Sequence, residues 1–139
     1  MGATARREWL SASASYAFLD ARSLPDRVVL DRRARHTGRV RVGVAPARLS
    51  GIRIDVTTSW TGTAPLVGTS ESGQPVQLGE QGDLLALDVQ LSIPVPGGLR
   101  VVAGGDNLFN QRPDGWPAVT GRRLRLGLEA DDVLSRLRD

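Results

Sequence analysis

The chain has 139 residues, 40% of them apolar and 24% charged, a composition for one folded domain rather than a disordered segment. It has no Cys and a single His, which excludes disulfide frameworks, thiolate or multi-His metal sites and Cys nucleophiles. All 18 basic residues are Arg against 15 acidic ones, so the net charge is only +3; the pI of about 10.8 reflects how high Arg titrates and is no nucleic-acid footprint.

With 16 Gly and 8 Pro, turns are favoured over long helices, and no run of about 18 apolar residues exists to form a membrane helix. Six segments instead alternate with period two, which predicts strands with one apolar and one polar face. The first, about Glu8 to Asp20, sets Leu10, Ala12, Ala14, Tyr16 and Phe18 against Ser11, Ser13 and Ser15. The second, Gly38 to Pro46, sets Val40, Val42 and Val44 against Arg39, Arg41 and Gly43. The third, Gly51 to Thr61, opposes Ile52, Ile54, Val56 and Trp60 to Arg53, Asp55, Thr57 and Ser59. The fourth, Leu85 to Val95, alternates Leu85, Leu87, Val89, Leu91 and Ile93 with Ala86, Asp88, Gln90 and Ser92. The fifth, Leu99 to Phe109, places Leu99, Val101 and Ala103 against Arg100 and Asp106. The sixth, Gly121 to Glu129, sets Leu124, Leu126 and Leu128 against Arg123, Arg125 and Glu129. Only Asp131 to Arg138 would form a turn or two of helix.

Long and tight connections alternate. Ala21–Thr37, Gly62–Gly82 and Asn110–Thr120 are long; Ala47–Ser50 and Pro96–Gly98 are tight. The prediction is an antiparallel up-and-down meander of about six strands, elaborated at one end, as in a transmembrane-type β-barrel left open. A three-residue turn at Pro96–Gly98 pairs Val95 with Leu99, Leu91 with Ala103 and Gln90 with Gly104, so like faces meet. At the other tight turn, pairing Val44 with Ile52 would set Arg41 opposite Asp55. In the later hairpin Asp88 would face Asp106, which calls for Arg100 or Arg123 nearby.

Alternation alone does not say whether the apolar face meets a protein core or lipid. A soluble small β-barrel binding module would point it inwards, a membrane barrel outwards. Strand length, the charged polar face, and Tyr16, Phe18, Trp60 and Phe109 all near the long-loop end favour lipid.

Leu87-Asp88-Val89, Gly97-Gly98-Leu99-Arg100, Gly105-Asp106-Asn107-Leu108-Phe109-Asn110 and Gly121-Arg122-Arg123-Leu124-Arg125-Leu126-Gly127-Leu128 follow one another in order. Together they resemble the C-terminal barrel segment of TonB-dependent outer-membrane receptors. Ser15-Tyr16-Ala17-Phe18-Leu19-Asp20-Ala21-Arg22, Arg35-His36-Thr37 and Trp60-Thr61-Gly62 are similar to upstream strand ends of that family, with the family's Pro missing before Arg35. The resemblance covers residues 6–129, with 130–139 as a charged tail lacking the terminal aromatic usual in the family. It implies the last strands of a barrel of about 22 strands with a plugged lumen, importing siderophores, cobalamin or similar ligands. Its partners would be the rest of the barrel, the plug and the lipid bilayer, with TonB engaged only through parts this chain lacks.

On that resemblance Arg39, Arg41, Arg53, Asp55, Asp88, Arg100, Arg123 and Arg125 would line the lumen or touch the plug. Leu85, Leu87, Val89, Leu91, Leu124, Leu126 and Leu128 would face lipid, and the long loops would face outwards. About six strands fall short of the roughly eight of the smallest usual barrel, and bare sheet edges are avoided, so no transport is expected of this chain alone. Localisation would be the outer membrane as part of a parent receptor. Met1 to Leu10 leads into Ser and Ala with no apolar export core. That reads as an unexported chain or as a start other than the natural one.

The arginine-rich run Arg27–Arg41 reads as a solvated loop entering a polar-faced strand, with Asp26 and Asp31 pairing locally, ahead of an anion site; it lacks the interleaved aromatics of a nucleic-acid surface. His36 reads as a strand-end residue and Asn107 as a turn residue. Asp106, Asn107, Asn110 and Asp114 lack calcium-loop spacing. No Gly-x-Ser-x-Gly element or acid in an apolar pocket is evident. No catalysis, metal or cofactor is expected.

Overall fold

The computed structural model describes residues 1–22, 31–113 and 119–130. They form nine strands and no helix: β1 Gly2–Arg7, β2 Leu10–Phe18, β3 His36–Val44, β4 Arg53–Thr61, β5 Ala64–Thr69, β6 Pro75–Gln81, β7 Leu84–Val95, β8 Leu99–Asp106 and β9 Arg123–Ala130. The predicted helical turn over 131–138, and with it the charged tail beyond Ala130, lies outside the described residues. So do Asp26 and Arg27 of the arginine-rich run, and Asp114.

Seven strands make one open antiparallel sheet in the order β1-β2-β3-β4-β7-β8-β9, and β5 pairs with β6 in a separate hairpin. All six predicted segments are strands of the large sheet. The structure adds β1, which pairs with β2 through the two-residue turn Glu8-Trp9 (Arg7 opposite Leu10). Nothing in that turn carries the Gly, Asn or Asp that marks a hairpin in sequence, and the apolar rhythm of β1 rests only on Ala3 and Ala5.

The second addition falls within the predicted loop Gly62–Gly82. Leu66 and Val67 pair opposite Gly79 and Gln77, with the register shifting between them. The turn that joins β5 to β6 is closed by Gly73 at φ 80° and by the Ser70 hydroxyl, which accepts from Gln74 N–H at 3.1 Å. Thr and Gly flank the hairpin strands so densely that composition reads as loop while the alternation beneath it forms a ladder. Asp31 ties the hairpin to the preceding long connection by accepting Val67 N–H at 2.9 Å.

Register follows the turns. Between β7 and β8, Val95 pairs with Leu99, Leu91 with Ala103 and Gln90 with Gly104, as the three-residue turn requires; Gly97 and Gly98 take φ of 90° and 74° there, conformations a side chain resists. Between β3 and β4 the register differs from expectation by two residues: Val44 pairs with Ile54, and Arg41 faces Thr57. Two successive tight turns, closed by Leu49 N–H to Pro46 O and Ile52 N–H to Leu49 O, take up Ile52. A slip of two keeps every side chain on its face.

The sheet is a single layer. Among the described residues the sole buried hydrophobic side chain is Ala64, on the hairpin. The chain exposes 10467 Å², against roughly 7,000 Å² for a folded soluble protein of 14.9 kDa.

Candidate functional site

Register places the candidate residues on two faces. Arg39, Arg41, Arg53, Asp55, Asp88, Arg100, Arg123 and Arg125 all lie on one, and Leu85, Leu87, Val89, Leu91, Leu124, Leu126 and Leu128 all on the other. One row across the polar face reads Arg6, Ser11, Gly43, Asp55, Gln90, Gly104 and Arg125, each directly opposite the next. A parallel row on the apolar face reads Ala5, Ala12, Val42, Val56, Val89, Gly105 and Leu124.

Burial is inverted relative to a water-soluble protein. On β4, Asp55 is 9% exposed and its neighbour Ile54, on the other face, 38%. Ser92 is likewise buried on the polar face, while Leu124, Leu126 and Leu128 are 79%, 80% and 71% exposed on the apolar one. Water-soluble folds cover such side chains, because each large one gains about 1.5–3 kcal/mol by leaving water.

The polar face is cross-linked from within. Arg53 donates to both oxygens of Asp55, Nε to Oδ2 at 2.6 Å and an η nitrogen to Oδ1 at 2.9 Å, a bidentate fork. Arg41 lies at 3.7 Å from the same carboxylate, so the pair expected from register forms on the diagonal. Gly43 makes this possible: a Cβ there would lie 2.6 Å from Ser11 Oγ and 2.8 Å from Asp55 Oδ1. Arg39 donates to Ser59 Oγ at 3.3 Å, and Arg100 donates to Ser92 Oγ at 3.3 Å.

At the β7–β8 end the expected crowding of Asp88 and Asp106 is relieved differently from prediction. Asp88 accepts Asn107 N–H at 2.9 Å, and Asp106 pairs with Arg125 at 2.9 Å. Arg123 sits directly opposite Asp106 in register, but the diagonal Arg125 makes the bond, while Arg100 reaches Ser92 instead. Asn107, in a left-handed conformation at φ 48°, ends β8. Its amide donates to Gln111 O at 2.9 Å and Thr120 O at 3.0 Å, and its Oδ1 accepts Gln111 N–H at 3.2 Å. One buried side chain thus gathers both ends of the last long loop.

The apolar face carries an aromatic cluster at the long-loop end. His36 stands 5.2 Å from Phe18, 6.0 Å from Tyr16 and 6.4 Å from Trp60 between ring centroids, and its Nδ1 hydrogen-bonds the Tyr16 hydroxyl at 2.6 Å. Directly opposite both Tyr16 and Trp60 stands Gly38, which leaves space between the rings. Trp9, exposed in the β1–β2 turn, marks the other end.

Sequence reading missed Arg6 and Thr4, which join the polar face only once β1 is recognised as a strand. It also missed Gly43 as the space the carboxylate network fills. In the arginine-rich run, Arg32 reaches Asp31 at 3.5 Å, the local pairing expected there. Among the described residues no group of His, Asp and Glu side chains converges to hold a metal ion. No protein-family model matches the chain, and no curated protein matches it.

Proposed function

We propose that this chain is a wall segment of an outer-membrane β-barrel of the TonB-dependent receptor kind, and that it transports nothing by itself. Uptake of a siderophore, cobalamin or similar ligand would belong to the whole receptor. The carrying observation is the inverted single layer: a largely apolar face left exposed, opposite a polar face on which Arg53 pairs with Asp55 and Arg125 with Asp106. A nine-residue strand such as β2 or β4 is about 30 Å long, enough to cross the hydrocarbon when tilted. Aromatic side chains at both ends, Trp9 at one and the Tyr16–His36–Trp60 cluster at the other, fit the two girdles of a barrel wall. The three long connections leave from one end and the tight turns from the other, which supports the same reading.

Lipid depth is the test. The chain is refolded in vesicles carrying brominated acyl chains, and single-Trp variants report quenching at Trp9 and Trp60. The expected result is sheet formation in vesicles or detergent, aggregation in buffer, and quenching at both positions. A monomer in plain buffer with cooperative unfolding would overturn the membrane reading in favour of a soluble binding module. The receptor assignment is checked separately by the reading frame upstream of Met1, where an export signal and a plug are expected.

A further inference from the structure

We propose that the polar face carries an anion site at its tight-turn end, in the groove that spans β1 to β4, and that it takes a phosphate-type dianion. The groove has a volume of about 340 Å³ and is lined by Thr4, Ser11 and Ser13 together with Arg6, Arg41 and Arg53; the Ser11 hydroxyl donates to Gly43 O at 3.4 Å. Register fixes this grouping: Thr4 faces Ser13, which faces Arg41, and Arg6 faces Ser11, which faces Gly43.

Charge presentation argues for an anion. Arg7 and Glu8 also line the groove, so with Asp55 beside it the lining holds four arginines against two carboxylates. The Asp55 carboxylate is nearly covered and both its oxygens are held by Arg53, whereas the side chains of Arg41 and Arg53 are more than half exposed. The positive charge therefore faces the groove and the charge of Asp55 does not. Arg41, at 3.7 Å from Asp55, makes a contact too long to occupy its donors. Arg6 has no acidic partner among the described residues. Guanidinium forks bind phosphate oxygens in pairs, and the hydroxyls of Thr4 and Ser13 would complete the donor set. The groove is wet whichever medium meets the opposite face, so the site does not depend on the membrane reading.

The test is a titration of inorganic phosphate into the whole chain folded in uncharged detergent micelles, at ionic strength held constant with chloride, followed by calorimetry and by the arginine side-chain N–H resonances. Saturable binding that weakens with added salt is expected. Arg41→Gln should weaken it about tenfold, the worth of one charged hydrogen bond, and Arg41→Lys by less, since charge stays and the fork is lost. Arg123→Gln, on the same face but outside the groove, should leave it unchanged. Circular dichroism checks each variant's strand content; should Arg41→Gln lose it, Arg6→Gln carries the test. A short-chain phosphatidic acid that displaces phosphate identifies a lipid headgroup as the source; failure to displace identifies free phosphate, and both uphold the site. No saturation, equal shifts from chloride alone, or equal weakening in Arg123→Gln would overturn it.

Discussion

The two faces of the seven-stranded sheet come from the same strands and differ only in which residues of each strand they take, yet their energetics are opposite. Several side chains of the polar face find hydrogen-bond partners within the sheet: Arg53 on Asp55, Arg125 on Asp106, Arg39 on Ser59. Those of the apolar face have neighbours beside them and nothing above them. Partly exposed ion pairs are worth about 0–1 kcal/mol each, and each large apolar side chain about 1.5–3 kcal/mol when removed from water. The apolar face therefore dominates, and its contribution is set by the medium rather than by the chain.

The largest effect should come from a charge placed on that face. Leu126→Arg sits at a position 80% exposed. In water such a substitution shifts stability by no more than about 0.5 kcal/mol; at lipid midplane depth it costs about 2–4 kcal/mol. Denaturant unfolding from vesicles, compared with Gln90→Arg on the polar face opposite Asp55, measures the difference, and equal costs would erase the distinction between faces.

A next, smaller effect is expected from Gly43→Val, which drives a side chain into Ser11 Oγ and Asp55. Overpacking of this kind costs about 1–3 kcal/mol. The same substitution at Gly127, where an added Cβ meets nothing within 4 Å, should be near neutral, so the pair separates the filled part of the polar face from its open edge.

Asn107→Ala removes the amide that holds Gln111 and Thr120 and leaves a non-Gly residue at positive φ. A loss of about 1–2 kcal/mol is expected, seen locally as faster hydrogen exchange at the Gln111 and Leu108 amides. Asn107→Gly should recover the backbone part of that loss and not the loop protection.

The smallest effect belongs to the surface pairing of Asp106. Arg125→Gln should cost under about 1 kcal/mol and less in high salt, read by unfolding midpoints at two salt concentrations. Arg123, opposite Asp106 in register, is placed to take over part of the bond.

Much of this sheet was legible in sequence because its signal is strict. Leu85 to Val95 alternates for eleven residues, and Pro96-Gly97-Gly98 allows one register only. The β3–β4 register departs from the sequence reading because Ala47–Ser50 reads as a single tight turn, while the chain uses two turns in succession before β4 begins at Arg53. β1 was missed because alanine gives little contrast with threonine. The hairpin was missed because Gly and Ser dominate its flanks. The candidate face was legible as a list of residues; Gly43 and Arg6 were not, since one contributes an absence of side chain and the other depends on a neighbouring strand.

Every neighbouring pair in the large sheet is antiparallel, and five strands separate β1 from β9. The two outermost strands thus run in the same direction. A ring of copies joined head to tail would set β9 of one beside β1 of the next in parallel. Closure by antiparallel seams alone requires an odd number of further strands, so parity along the described sheet already constrains what can close it.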